Sequence, residues 1–243
     1  MTTAMPHSAR HYQALLAQGR WFGSIDPGLR DYLLDHATVR RLAVNERIFS
    51  RGETFNGLFA VVSGVIRISG FRGPADSGKE ALLALVEAPD WIGEMPLFDR
   101  QLRSHDAWAE TAAIVAHVPA ATLHALLEQQ PHYWRDFALL LTHKLRLTFA
   151  AIEQVSVLQT PGRLAYRLLM MADRYGGASP GGGLPPCRML NISQEQLAQL
   201  LAISRQTANQ ILKGMEQQQL IRLHRNGIEL LDMDGLRALA TGG

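Results

Sequence analysis

Four polar side chains open one short helix in this 243-residue chain: Arg205, Gln206, Asn209 and Gln210. Their spacing puts all four on one face near the helix N-terminus, where a helix entering a major groove end-on meets base edges. A guanidinium suits the N7 and O6 acceptors of guanine, and a carboxamide suits the N7 acceptor and N6 donor of adenine. Ser204 just ahead can cap the helix, and Thr207 shares its first turn. Further on, Arg222, His224 and Arg225 fall near the tip of a predicted hairpin, where cations would meet phosphates and set position without reading sequence. These residue types suit recognition of double-stranded DNA.

Residues 191–217 must position that face, and they predict two short helices joined by a tight turn. Ser193 and Gln196 form a capping box, and Leu197, Leu200 and Leu201 share one apolar side. Ile203 plugs the turn, while Ala208, Ile211, Leu212 and Met215 supply the inner face of the second helix. Leu220–Leu223 and Ile228–Leu231 flank Arg225-Asn226-Gly227, and Asn-Gly between apolar runs is a strong hairpin signal. Helix, turn, helix and hairpin together predict a winged helix-turn-helix. Taken alone, residues 191–217 would also suit a plain helical pair with a solvated polar face.

Composition bounds the rest. Hydrophobic residues make up 47% and charged residues 19%, enough for a packed core in one large or two modest domains. No apolar run nears the roughly 20 residues that span a bilayer, and the first residues lack a signal peptide's apolar core, so a soluble cytoplasmic protein with no membrane partner is expected. A single cysteine, Cys187, excludes an intrachain disulfide and any multi-cysteine cluster within one chain. From Leu158 onward nine lysines and arginines face six aspartates and glutamates, a surplus of three in a chain whose total is +2. A mildly basic C-terminal part on a near-neutral body fits a regulator better than a coat for nucleic acid.

Along the chain, residues 1–10 read as a loose tail and residues 11–19 as a short helix. Asp26-Pro27 caps and opens a helix with Leu29, Leu33 and Leu34 on one side. From Arg40 short β-rich runs separated by glycines predict an antiparallel roll: Ile48-Phe49, Leu58–Val62, Val65–Ile68, Ala81–Val86 and Ala112–Val118. Pro119 opens a helix that ends near Pro131. A longer helix follows to Leu158, with Trp134, Phe137, Leu141, Leu145, Thr148, Ile152 and Val155 spaced by three or four, a seam long enough for a two-stranded coiled coil. Packing of that helix on its own roll is the alternative. Gln159-Thr160-Pro161 breaks it and caps the next, which carries Leu164, Leu168 and Leu169. Residues 176–186 read as a linker, and 232–240 as a last short helix. The expected parts are a tail and short helix (1–24), an effector-sensing roll (25–130), a dimerisation helix (131–158) and the winged domain (159–243).

In this order the motifs resemble those of the Crp–Fnr family of bacterial transcription regulators, and within it the cyclic-AMP receptor branch. The stretches that carry the likeness are Leu58–Gly64, Gly78-Lys79-Glu80, Ile92–Phe98, Arg103-Ser104, Gly162-Arg163 and Ser204–Thr207. The resemblance implies an α+β fold: an N-terminal double-stranded β-roll of the cyclic-nucleotide-binding kind, a long dimerisation helix and a C-terminal winged helix-turn-helix. It implies a homodimer on a pseudo-palindromic operator, with RNA polymerase as a further partner and a small effector, a cyclic nucleotide such as cyclic AMP, in the roll. Gly93, Glu94, Arg103, Ser104 and Thr148 match the effector positions: Arg103 and Ser104 toward phosphate, Glu94 toward a ribose hydroxyl, Thr148 toward the base. Arg205 matches a guanine-reading arginine.

The chain departs from that branch at several points. His105 and Asp106 follow Arg103-Ser104, and Asp106 offers Arg103 a carboxylate partner without any ligand. The Glu94–Arg103 loop is one residue shorter, and Phe149 is large enough to fill a base site. Gln206 and Gln210 replace residues of other type on the reading helix, which implies an operator that keeps a guanine in each half-site but differs at neighbouring bases. No metal is expected: the iron–sulfur cysteines are absent and no cysteine lies in the roll. No catalytic residue is proposed. A cupin-type enzyme would need His-x-His, which the chain lacks, with His117 and His124 reading as edge or helix-surface residues. An interaction module that no longer binds DNA is the remaining alternative.

Overall fold

The structure, a computed structural model, describes residues 8–72, 80–173, 188–225 and 227–241. The Gly78-Lys79 part of one motif, Cys187, Asn226 and the 176–186 linker lie outside the described residues. Those described up to Lys144 form one compact unit, and those from Leu145 onward a second.

The first unit opens where a loose tail is expected. A 3-10 turn at Ala9–Tyr12 buries Ala9, and Arg10 pairs with Asp31 and Asp35. Three short helices follow, α1 (Gln13–Leu16), α2 (Arg20–Ser24) and α3 (Pro27–His36). Asp26 caps α3, accepting from the amides of Gly28 and Leu29, and Leu29, Leu33 and Leu34 are buried. Ordering at residues 8–10 follows from this apolar company, which extends to Leu16, Trp21 and Phe22.

The strands are β1 (Thr38–Leu42), β2 (Arg47–Phe49), β3 (Gly57–Ser63), β4 (Val65–Arg72), β5 (Glu80–Glu87) and β6 (Trp91–Ile92). A short helix α4 (Met95–Asp99) precedes β7 (Asp106–Ala109) and β8 (Ala113–Pro119). They pair antiparallel in two four-stranded sheets, ordered β1-β8-β3-β6 and β2-β7-β4-β5. Between them lies a core of Leu42, Phe49, Phe59, Val61, Ile66 and neighbours. Strands β1, β6 and β7 go beyond the runs expected from the sequence. His117 lies on β8, flanked by β1 and β3, and so is not on a sheet edge.

Helix α5 (Ala120–Gln129) buries Leu123, Leu126 and Leu127, and a 3-10 turn at Pro131–Tyr133 leads into α6 (Trp134–Val157). The seam on α6 divides. Phe137 and Leu140 are buried in the first unit, and the Asp136 carbonyl accepts from the Trp21 indole at 2.6 Å. From Leu145 the stripe is bare: Leu145, Phe149, Ile152 and Val155 are 51–60% exposed. Packing on the roll's own unit thus holds for the first half of the helix.

In the second unit α7 (Thr160–Ala172) has Gln159 as its cap residue, one position ahead of the expected Thr160. Strand β9 (Met189–Leu190), α8 (Gln194–Leu200), α9 (Arg205–Gln217), β10 (Ile221–His224), β11 (Gly227–Leu230) and α10 (Met233–Thr241) complete it. The expected hairpin forms, but with a third strand, in the order β10-β11-β9. Gly227 is paired across from His224, so the connection is 225–226 and not centred on Asn-Gly. A Cβ at Gly227 would stand 2.6 Å from the Leu190 carbonyl, so glycine here lets β9 approach.

Candidate functional site

The polar face of α9 is built from its caps. Ser193 and Gln196 close the capping box on α8, whose Leu197, Ala198 and Leu200 are buried. Ala202 turns the chain in the left-handed region (φ +54°), and the Ile203 amide donates back to Ala198 at 3.0 Å. Ser204 Oγ then accepts from the Thr207 amide at 3.0 Å and sits 2.8 Å from the Thr207 hydroxyl. Ser204 and Thr207 are therefore engaged in capping. Burial of Ala208, Leu212 and Met215 aims the other face outward. There Arg205, Gln206 and Gln210 are exposed and Asn209 partly so. Among the described residues none of these four side chains has a hydrogen-bond or ion-pair partner.

Two ties hold the face in place. Arg163 donates to the Leu201 carbonyl at 2.9 Å, fixing the end of α8 to α7. Glu216 accepts from the Leu223 amide at 2.7 Å, fixing the end of α9 to the hairpin. On the hairpin Arg222 and His224 both meet one oxygen of Glu229, at 3.0 and 3.1 Å. The hydrogen bond from His224, then the Arg222 charge, hold the Glu229 carboxyl below its ordinary pKa. Arg225 has no such partner among the described residues. Ser193, Glu195, Arg205, His224 and Arg225 line a hollow of about 330 Å³, so the hairpin tip and the start of α9 face one space.

At one end of the roll Gly93, Glu94 and Arg103 come together. Gly93 has φ +95°, and a Cβ there would stand 2.7 Å from Arg103 Nη1. Arg103 is buried and turned onto its own backbone. Nη1 donates to the Gly93 carbonyl and Nη2 to the Gly57 carbonyl, each at 2.7 Å, and Nη2 also donates to the Asn56 side chain. The guanidinium lies 4.1 Å from the Phe49 ring centre and 5.1 Å from that of Phe55. Burial pushes its pKa down to about 10, against the opposing pull of Glu94 and Glu53. Asp106 does not pair with it: that carboxylate accepts from the Arg51 amide at 3.0 Å. Backbone carbonyls nearer the guanidinium have taken that role.

Glu94 is buried too and meets Lys144 at 2.5 Å. Ser104 Oγ lies 2.8 Å from His105 Nδ1. Burial first, then the Arg51 cation, lowers the His105 pKa. His117 stacks on Phe59 at 4.4 Å and bonds the Asn56 carbonyl at 2.9 Å, with its pKa lowered chiefly by burial. Thr148 belongs to the second unit, exposed on α6, as is Phe149. Asn56, Lys144, Phe49 and Phe55 carry no motif that would have marked them. Neither does a groove of about 650 Å³ on the first unit, walled by Phe55, Phe98, Leu102, His124 and Trp134.

Among the described residues no three or more His, Cys, Asp or Glu gather as a metal site, and no helix is long and apolar enough to cross a membrane.

Against known proteins, residues 39–130 match the cyclic nucleotide-binding domain and residues 162–239 the Crp-like helix-turn-helix domain. A CRP-like cAMP-activated global transcriptional regulator of Mycobacterium tuberculosis is 27% identical over 222 residues, 91% of this chain and 96% of that one. The cAMP-activated global transcriptional regulator CRP of Escherichia coli is 26% identical over 200 residues, 82% of this chain and 91% of that one. Among solved structures, FixK2 of Bradyrhizobium japonicum is similar in fold, with a TM-score of 0.70 at 19% identity over 84% of this chain and 96% of that one. The c-di-GMP-responsive regulator CLP of Xanthomonas campestris follows at a TM-score of 0.64 and 22% identity, covering 84% and 99%.

Proposed function

The chain belongs to the Crp–Fnr family of DNA-binding transcription regulators, and from that premise we propose that it acts as a cytoplasmic homodimer on a pseudo-palindromic operator. The row Arg205, Gln206, Asn209 and Gln210 on α9, unpartnered among the described residues, carries this reading. Arg205 reads a guanine in each half-site, the carboxamides read adenine or serve as donor and acceptor, and Ser204 and Thr207 hold the helix start against the backbone. Arg222 and Arg225 contact phosphates. The bare half of α6 supplies the dimer seam, and two-fold symmetry spaces the two reading helices by about 34 Å. RNA polymerase is the further partner proposed.

Selection of sites from random duplex DNA tests this reading. The expected result is a two-fold site with one guanine per half that differs from that of the E. coli relative at neighbouring bases. Arg205→Ala should weaken binding to the selected site by about 5- to 150-fold, the equivalent of about 1–3 kcal/mol per base contact. Unchanged affinity, or no affinity for any duplex, would favour an interaction module that does not bind DNA.

The effector is the finer part of the proposal. Cyclic AMP activates the relatives by name, and this roll end fits such a group in kind. Arg103 Nε is a buried donor with no acceptor among the described residues, and Glu94 is a buried carboxylate beside it in the cluster. Arg103 and Ser104 would hold the phosphodiester and Glu94 a ribose hydroxyl, with the ligand competing against the Gly57 and Gly93 carbonyls and Lys144. Thr148 is assigned to the base by the resemblance alone. A cyclic nucleotide, when bound, supplies charge and hydrogen-bonding groups and no chemistry. A thermal-shift screen with cyclic AMP, cyclic GMP and cyclic di-GMP tests it, since a ligand that binds only the fold raises the melting temperature. No shift with any of the three removes a cyclic nucleotide from the proposal.

A further inference from the structure

The outward side of the β10–β11 hairpin carries a charge arrangement that phosphate contact alone does not call for. Arg222 stands directly across from Glu229 in the strand register, and His224, two residues on, projects from the same side. One oxygen, Glu229 Oε2, accepts from Arg222 Nη1 at 3.0 Å and from His224 Nε2 at 3.1 Å. A single acceptor that gathers two neighbouring donors is what a DNA phosphate oxygen would otherwise be to this wing. Arg225 at the tip stays outside the cluster and shares its hollow with Arg205.

We propose that Glu229 is a specificity-determining residue: its carboxylate occupies Arg222 and His224 in the place of a DNA phosphate and so restrains binding to DNA of arbitrary sequence. A phosphate approaching the wing must displace this carboxylate or lie beside it as a like charge. On a random duplex nothing offsets that disadvantage. On the operator, base contacts from α9 fix the protein close enough for the exchange to occur. Glu229 therefore widens the gap between specific and non-specific affinity without touching a base. This inference rests on the DNA-binding reading above.

The test compares wild-type protein with Glu229→Gln, which keeps the size and an acceptor oxygen but removes the charge. Binding of the full chain to a random-sequence duplex and to the selected operator is followed by fluorescence anisotropy from 50 to 300 mM salt, about the range in which phosphate contacts dominate. Glu229→Gln should tighten random-duplex binding about threefold, the effect of removing one like charge some 7 Å from a phosphate in a water-like medium. It should also steepen the plot of log affinity against log salt by about 1, as one further cation neutralises a phosphate. Operator binding should change less, so the specificity ratio falls. In Arg222→Gln/Glu229→Gln the gain should vanish. Glu229→Thr, suited to a strand, gives the same reading should the glutamine variant melt early. Random-duplex affinity and salt slope equal to wild type in both variants would overturn the proposal. Wild-type protein that binds neither duplex would overturn the DNA-binding reading itself, a distinguishable failure.

Discussion

Arg103→Met separates an arginine that holds the roll together from one that waits for a ligand. Methionine keeps the length and apolar stem of the side chain but removes every donor. The Gly57 and Gly93 carbonyls would then lose 2.7 Å partners, and the Asn56 side chain a third. The Gly57 carbonyl, left buried and unpaired, costs about 1–3 kcal/mol; the part-buried Gly93 carbonyl and the exposed Asn56 side chain cost about 0.5–1.5 kcal/mol each, and the lost stacking on Phe49 and Phe55 about 1 kcal/mol more. Relief of the buried guanidinium, whose pKa burial has pushed down to about 10, offsets part of this. The net is a loss of about 3 kcal/mol in the first unit, or roughly 10 °C in its melting temperature. Calorimetry and urea titration of the full chain without nucleotide measure it. Arg103→Lys should fall in between, because an ammonium cannot bridge both carbonyls in the guanidinium's planar fork. A ligand-free melt within about 0.5 kcal/mol of wild type would refute the reasoning and leave Arg103 a pure ligand contact.

Lys144→Met strands the Glu94 carboxylate and should cost about 1–3 kcal/mol, reduced from the fully buried case because the lysine is one-third exposed. Adding Glu94→Gln should recover part of that loss in the same urea titration. Ile152→Glu, on the bare half of α6, should convert a dimer to monomer in sedimentation equilibrium while shifting unit stability by less than about 0.5 kcal/mol. His117 has a pKa below its ordinary value in the fold, so the unfolded chain takes up a proton first as pH falls. Its contribution is fully present above the ordinary imidazole value of about 6.5 and is lost as pH drops below it toward the lowered value. His117→Gln, which can still donate to Asn56, should flatten stability between pH 7 and 5 in thermal melts. His105, shifted the same way, should leave a residual slope.

Periodicity made the frame legible. Helices α3, α5, α8 and α9 form where apolar residues recur every three or four positions beside a serine, aspartate or proline at the start. Strand β7 was hidden because its two buried positions, Ala107 and Ala109, are alanines with little preference for strands, and β6 because two residues make no pattern. Arg103 was legible as a residue of interest, but its partners were not: two are backbone carbonyls, and every residue has one. Lys144 and Glu229 act through pairings 50 and seven positions away, and no local spacing encodes the first. The seam on α6 was legible as a stripe but not as a divided one, because the Trp21 that claims its first half lies 115 positions earlier than Asp136.

That division has a consequence in the cell. With the stripe left open from Leu145 onward as the seam of the dimer proposed above, the operator-competent species forms only by a meeting of two chains. Below the concentration at which half the chains are paired, operator occupancy rises with the square of the total, and above it only in proportion. A modest change in synthesis or turnover is thereby converted into a larger change in promoter occupancy, before any effector is involved.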